Sequence, residues 1–202
     1  MRQVSPSELL LFQEPSKLSE INYPSDNAEE KALTTNLNDE LEEWLKDAKR
    51  IVVVGIGNEL RKDDFVGVKI VKELKNRVPR NVMLIESETV PESFIESIVE
   101  FHPTHVLLID AGLLKLEPGE IRLIKTSELP SPTSSPISTH ALPLQIFCEY
   151  IRKAIDPRLA LIVIQPRDTD FGEGLSAEVE NAALKLTKNL LRLLDQRGLH
   201  AS

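Results

Sequence analysis

Several things are scarce in this chain of 202 residues, and each scarcity excludes something. There is one cysteine, Cys148. It cannot close an intramolecular disulfide, and every Cys-rich zinc or iron–sulfur site is ruled out. Aromatic residues are 4% of the chain, with one Trp, so the core has to come from Leu, Ile and Val. Basic residues are outnumbered, 24 against 32 acids, giving a net charge of −8. A broad electrostatic grip on nucleic acid needs the opposite balance. No run approaches 18 consecutive apolar residues, so no membrane insertion is expected. The opening MRQVSPSELLLFQEP lacks the apolar core and cleavage site of a secretion signal, and a cytoplasmic location is the default expectation.

What is present reads as a globular protein, 41% apolar and 28% charged. Residues 1–35 carry Pro6, Pro15 and Pro24 among Ser, Asn and Glu without a sustained period, and are expected to be a loosely ordered extension. Leu9 to Phe12 could still dock on the domain or a partner. Residues 36–49 follow as an amphipathic helix, with Asn36 as a cap and Leu37, Leu41, Trp44, Leu45 and Ala48 on one stripe. The main domain is expected over 50–196, with a short tail at 197–202.

Within that domain apolar strands alternate with helical periods. Ile51–Val54, residues 81–86, 105–110, 121–125 and 159–165 read as strands. Helices are expected after Val66, over 91–101, over about 141–154 and over about 176–195. This alternation predicts a three-layer α/β/α sandwich on a mostly parallel, twisted sheet. Ligand sites of such folds lie beyond the C-terminal ends of the strands, so the residues placed there decide the chemistry.

The first strand runs into Gly55-Ile56-Gly57-Asn58 and reaches Asp63-Asp64 before the next helix. Leu60 stands where a dinucleotide fingerprint needs its third glycine, and no phosphate-binding lysine motif occurs. One of the two acids can be explained as a helix cap, but both cannot fill one cap position, which leaves one for the cleft. Asp110 ends the strand HVLLID; a carboxylate there loses hydration and needs a cation, a donor or a proton. His140 sits where a Ser/Thr/Pro loop meets an apolar helix. His102 and His105 flank the other end of a strand and His200 is near the C-terminus.

Asp64, Asp110 and His140 therefore form a candidate oxygen–oxygen–nitrogen set suited to zinc, nickel, iron or manganese. Gln165, before Pro166, offers a donor and an acceptor at the same rim, and Asp168 to Gly174 form a candidate substrate-side loop. Cys148 falls on a helical core face, and no GxSxG nucleophile motif occurs.

Four segments carry a resemblance: GIGNELRKDDFVG (55–67), LLIDAG (107–112), STHALPL (138–144) and IQP (164–166). Together, over about residues 50–196, the chain resembles the hydrogenase maturation endopeptidases of the HycI/HybD type. Phe65 and Val163 stand where that family usually has glycine, and the Gln165 form resembles the branch serving group 4 hydrogenases. The resemblance implies a phosphorylase/hydrolase-like sandwich and removal of a C-terminal extension from the precursor of a [NiFe] hydrogenase large subunit. It also implies no tightly bound cofactor, the nickel being supplied by the substrate and met by Asp64, Asp110 and His140. Those three residues are the expected catalytic and metal-contacting groups. Gly55, Gly57, Asn58, Asp63 and Gln165 are the expected substrate-side groups, with a structural role favoured for Asp63. The readings to be separated from this one are a metal-checking assembly module that never cuts, a self-sufficient metallohydrolase and a nucleotide-binding protein.

Overall fold

A computed structural model of the chain describes residues 37–125 and 141–198. The expected extension at 1–35, the Asn36 cap and His140 lie outside the described residues. The strands are β1 (Ile51–Ile56), β2 (Val82–Glu88), β3 (His105–Ala111), β4 (Ile121–Lys125) and β5 (Arg158–Ile164). They form one sheet in the order β2-β1-β3-β5-β4. All pairs are parallel except β4 with β5. The helices are α1 (37–44), α2 (Val66–Leu74), α3 (Ile95–Phe101), α4 (Ala141–Ile155) and α5 (Ala177–Gly198). Short 3-10 turns, Lys62–Phe65 and Pro91–Phe94, lead into α2 and α3.

The central strands β1 and β3 are buried along their whole length because both of their faces are covered. Alternation then assigns each residue to a layer. Ile51, Val53, Leu107 and Ile109 point into a core shared with α1, α2 and α5. Val52, Val54, Val106 and Leu108 point into one shared with α3 and α4, around Phe147 and Ile151. Each such side chain removed from water contributes about 1.5–3 kcal/mol. Cys148 belongs to this second core, and burial pushes its thiol up to about 11, so it is inert at neutral pH.

Helix α1 is shorter than the 36–49 expected. From Lys46 the hydrogen bonds shift to i→i−3, with Ala48 N–H donating to the Leu45 carbonyl at 2.9 Å. The apolar stripe nevertheless continues, since Leu45 is fully buried. The tighter turn delivers the chain to β1, where the Thr104 hydroxyl receives the Lys49 and Arg50 N–H groups at 3.0 and 3.3 Å.

What sets the C-terminal edge of the sheet is how closely α2 approaches it. A methyl group on Gly67 would lie 2.1 Å from the Ile109 carbonyl oxygen and 2.4 Å from that of Ile56. Only glycine lets the helix rest on the ends of β1 and β3 together. Gly67→Ala should therefore cost about 2–3 kcal/mol or more, read as a lowered denaturant midpoint with an unchanged slope.

At the opposite end of β3, His105 is buried and packs edge-on against Trp44, with ring centroids 4.9 Å apart. Its Nδ1 meets the Thr104 hydroxyl at 3.0 Å, and its Nε2 has no partner among the described residues. Burial, followed by the positive charge of Arg158, pushes its pKa down from 6.5 to about 4. The unfolded chain thus takes up this proton at a higher pH than the folded one. The stability contributed by neutral His105 is full above about pH 6.5 and is lost as pH falls toward 4. The loss is about 3 kcal/mol at most. In His105→Phe the acid limb of a stability–pH curve should flatten between those values; an unchanged limb would assign acid sensitivity to other groups.

Candidate active site

The Gly-x-Gly turn after β1 is tight for a local reason. Gly57 has φ +140°, and a Cβ there would fall 1.8 Å from the Asp64 carbonyl oxygen. The turn does not present the open N–H groups expected of it. Gly55 is buried and paired in the sheet with both Glu86 and Ile109. The Gly57 N–H donates to the Glu88 carbonyl at 2.8 Å. The Asn58 N–H donates to Asp64 Oδ2 at 3.0 Å, and Asn58 Oδ1 accepts from Leu60 N–H at 2.9 Å. The N–H groups of Gly57 and Asn58 are thus engaged within the fold. The same commitments leave no phosphate cradle in this turn.

The paired acids divide in a way the cap argument did not foresee. Neither side chain caps a helix: Arg61 and Phe65 hold the N-cap positions, with no side-chain cap bond. Asp63 is fully buried and turns toward the loop that follows β5. Its Oδ2 accepts from the Arg167 N–H (2.9 Å), the Asp168 N–H (3.0 Å) and the Ser176 hydroxyl (2.9 Å). Its Oδ1 accepts from the Ser176 N–H at 2.6 Å. One carboxylate therefore ties both ends of the 167–176 loop, through charge-assisted bonds. These bonds give Asp63 a structural job in holding that loop.

Asp64 lies on the opposite side of the same turn, 3% exposed, and closes the 58–64 turn through the Asn58 bond. Asp110 is fully buried at the end of β3. Because Gly67 sits against the carbonyl of Ile109, the turn bearing Asp64 rests on the strand end bearing Asp110. Both acids stand at the C-terminal edge of the central strands. Among the described residues no group of three or more His, Cys, Asp or Glu side chains could hold a metal ion. The third expected member, His140, is outside them.

Gln165 is buried and occupied. Its Oε1 accepts from the Leu114 N–H at 2.8 Å and the Leu116 N–H at 3.4 Å, and its backbone pairs with Gly119 and Glu120. It fastens the loop after β3 to the end of β5. Phe65, where the resembled family usually has glycine, has φ −73°, a value any residue adopts, and its ring is covered by Lys72 Nζ at 4.7 Å.

The loop after β5 is also stitched to the first turn along its length. Lys62 pairs with Asp168, which raises the lysine pKa and lowers that of the acid. Arg61 Nε donates to the Thr169 carbonyl at 3.1 Å. Sequence reasoning missed this arrangement, since its partners lie more than 100 residues apart.

The site thus lies on a mostly parallel α/β/α sandwich with two buried acids at the carboxyl edge of its sheet. Comparison with known proteins narrows it. The family model for hydrogenase maturation protease (HycI) matches residues 68–193. A putative hydrogenase maturation protease of Methanocaldococcus jannaschii is 36% identical over 163 residues, covering 77% of this chain and 94% of the relative. The [NiFe] hydrogenase maturation protease HycI of Thermococcus kodakarensis superposes with a TM-score of 0.70 at 31% identity, over 77% of this chain and 98% of that one. The hydrogenase maturating endopeptidase HybD of Escherichia coli does so with a TM-score of 0.64 at 27% identity, over 74% and 94%. The chain belongs to the hydrogenase maturation protease family.

The division between the two acids is testable without substrate. Asp63→Asn replaces one acceptor oxygen by a donor and should cost about 2–4 kcal/mol. Hydrogen exchange should show lost protection at Arg167, Asp168 and Ser176, while Asp64→Asn leaves that protection in place.

Proposed function

We propose that this protein is an endopeptidase that removes the C-terminal extension from the precursor of a [NiFe] hydrogenase large subunit. The observation that carries the reading is the pair of buried carboxylates, Asp64 and Asp110, at one sheet edge in a member of this family. The relatives named as maturation proteases and endopeptidases support the reaction class. The substrate's own nickel is the metal in this reading. It meets Asp64, Asp110 and His140, and that contact distinguishes a loaded precursor from an empty one.

Binding of the loaded centre then brings the scissile peptide to the same edge. A water attacks its carbonyl, activated by a carboxylate as general base or by the substrate metal as Lewis acid. The Asn58 side-chain amide is the donor at hand for the developing oxyanion. Asp63 and Gln165 act one step back, by fixing the loops that frame the cleft. The net charge of −8 suits a protein partner with a neutral or basic surface.

Incubation with purified precursor, followed by intact mass, tests this directly. Wild type should release one defined C-terminal peptide from nickel-loaded precursor and none from empty precursor. Asp64→Asn and His140→Ala should each slow release by at least about 100-fold while keeping the fold. Binding without a mass change, with the tail cleavable by a control protease, would replace this reading by an assembly module. Stoichiometric metal in the isolated protein and cleavage of empty precursor would replace it by a self-sufficient metallohydrolase.

A further inference from the structure

The turn after β1 and the loop after β5 are joined by a backbone bridge. Lys62 N–H donates to the Gly172 carbonyl, and Gly172 N–H donates to the Leu60 carbonyl, each at 2.9 Å. Beside this bridge two large apolar side chains stand in water: Leu60 is 51% exposed and Phe171 is 81% exposed. A loop free to move would fold such a phenylalanine inward. This one is held by the bridge, by the Lys62–Asp168 pair and by the carboxylate of Asp63 beneath it. Exposed acids, Asp170 and Glu173, flank Phe171, while beside Leu60 Glu59 is paired with Lys72 at 3.4 Å and Arg61 is exposed. Leu60 precedes the 3-10 turn that carries Asp64.

We propose that Leu60 and Phe171 form a preorganised apolar anchor that seats in an apolar pocket, rimmed by lysine or arginine, on the folded body of the protein substrate. The proposal rests on the peptidase reading above and adds where the partner is gripped, away from the scissile bond. The rigid presentation lowers the ordering cost of binding, and a central aromatic carries most of the energy in such contacts. The acidic flank selects a basic rim and speeds encounter at low salt.

The test compares wild type, Phe171→Ala, Phe171→Trp and the pair Leu60→Ala with Phe171→Ala, all as full chains. Cleavage kinetics on nickel-loaded precursor are read by intact mass, and affinity for the same precursor by biolayer interferometry at two salt concentrations. The expected result is a KM and Kd raised roughly 30-fold in Phe171→Ala, with kcat near wild type and affinity retained in Phe171→Trp. Association by wild type should slow as salt rises. Unchanged KM and Kd in the double variant would overturn the anchor. If wild type binds precursor but does not cut it, the peptidase reading fails, and a 30-fold loss of affinity in Phe171→Ala still supports the anchor. If wild type neither binds nor cuts, both fall. A wild-type dimer in sedimentation that the double variant disperses, with precursor affinity unchanged, would assign the patch to self-association and overturn the proposal.

Discussion

The site depends on one contact between backbones. Helix α2 rests on the carbonyl oxygens of Ile56 and Ile109, a distance that only a glycine at position 67 permits. That contact fixes the height of α2 above the sheet, and so the height of the 3-10 turn that precedes it. Asp64 is carried on the turn and Asp110 on the strand below. Their shared position at one edge therefore follows from this packing. Lifting the helix by one methyl group would separate elements that the chemistry needs together.

Two adjacent acids do different work because the turn points them in different directions. Asp63, itself fully buried, takes bonds from three N–H groups and a hydroxyl of a part-buried loop, which offsets the cost of burying its carboxylate. Asp64 closes its own turn and stays with the sheet edge. Gln165 repeats the Asp63 strategy on the far side, binding the loop after β3. Two loops are thus each tied down by one polar side chain.

Much of the fold was legible. The β-branched runs of β1 and β3 declared strands covered on both faces, and the alternation with helices gave the sandwich. The acid near the end of β3 was legible too, because HVLLID delivers a carboxylate after an unbroken apolar run, although the strand itself continues to Ala111. The job of each polar residue was less so. Nothing near Asp63 in the chain announces Arg167, Asp168 and Ser176 as its partners, and nothing near Gln165 announces Leu114. The glycines invited a reading as substrate donors, whereas their value is steric: they let backbones meet. The shortening of α1 was also hidden, since an apolar stripe looks the same whether its bonds run to i−4 or i−3.

The layout of the cores has a consequence for how the protein comes into being on the ribosome. The layer that covers β1 and β3 on the α2 side is completed by α5, through Val179, Leu186 and Leu190. The loop that Asp63 holds is made just before that helix. A nascent chain that has emerged as far as β3 already carries both Asp64 and Asp110, yet lacks the elements that hold their scaffold in place. The edge bearing the acids is thus assembled late in synthesis, when α5 closes over the sheet. A truncated product would keep the motifs and lose the geometry.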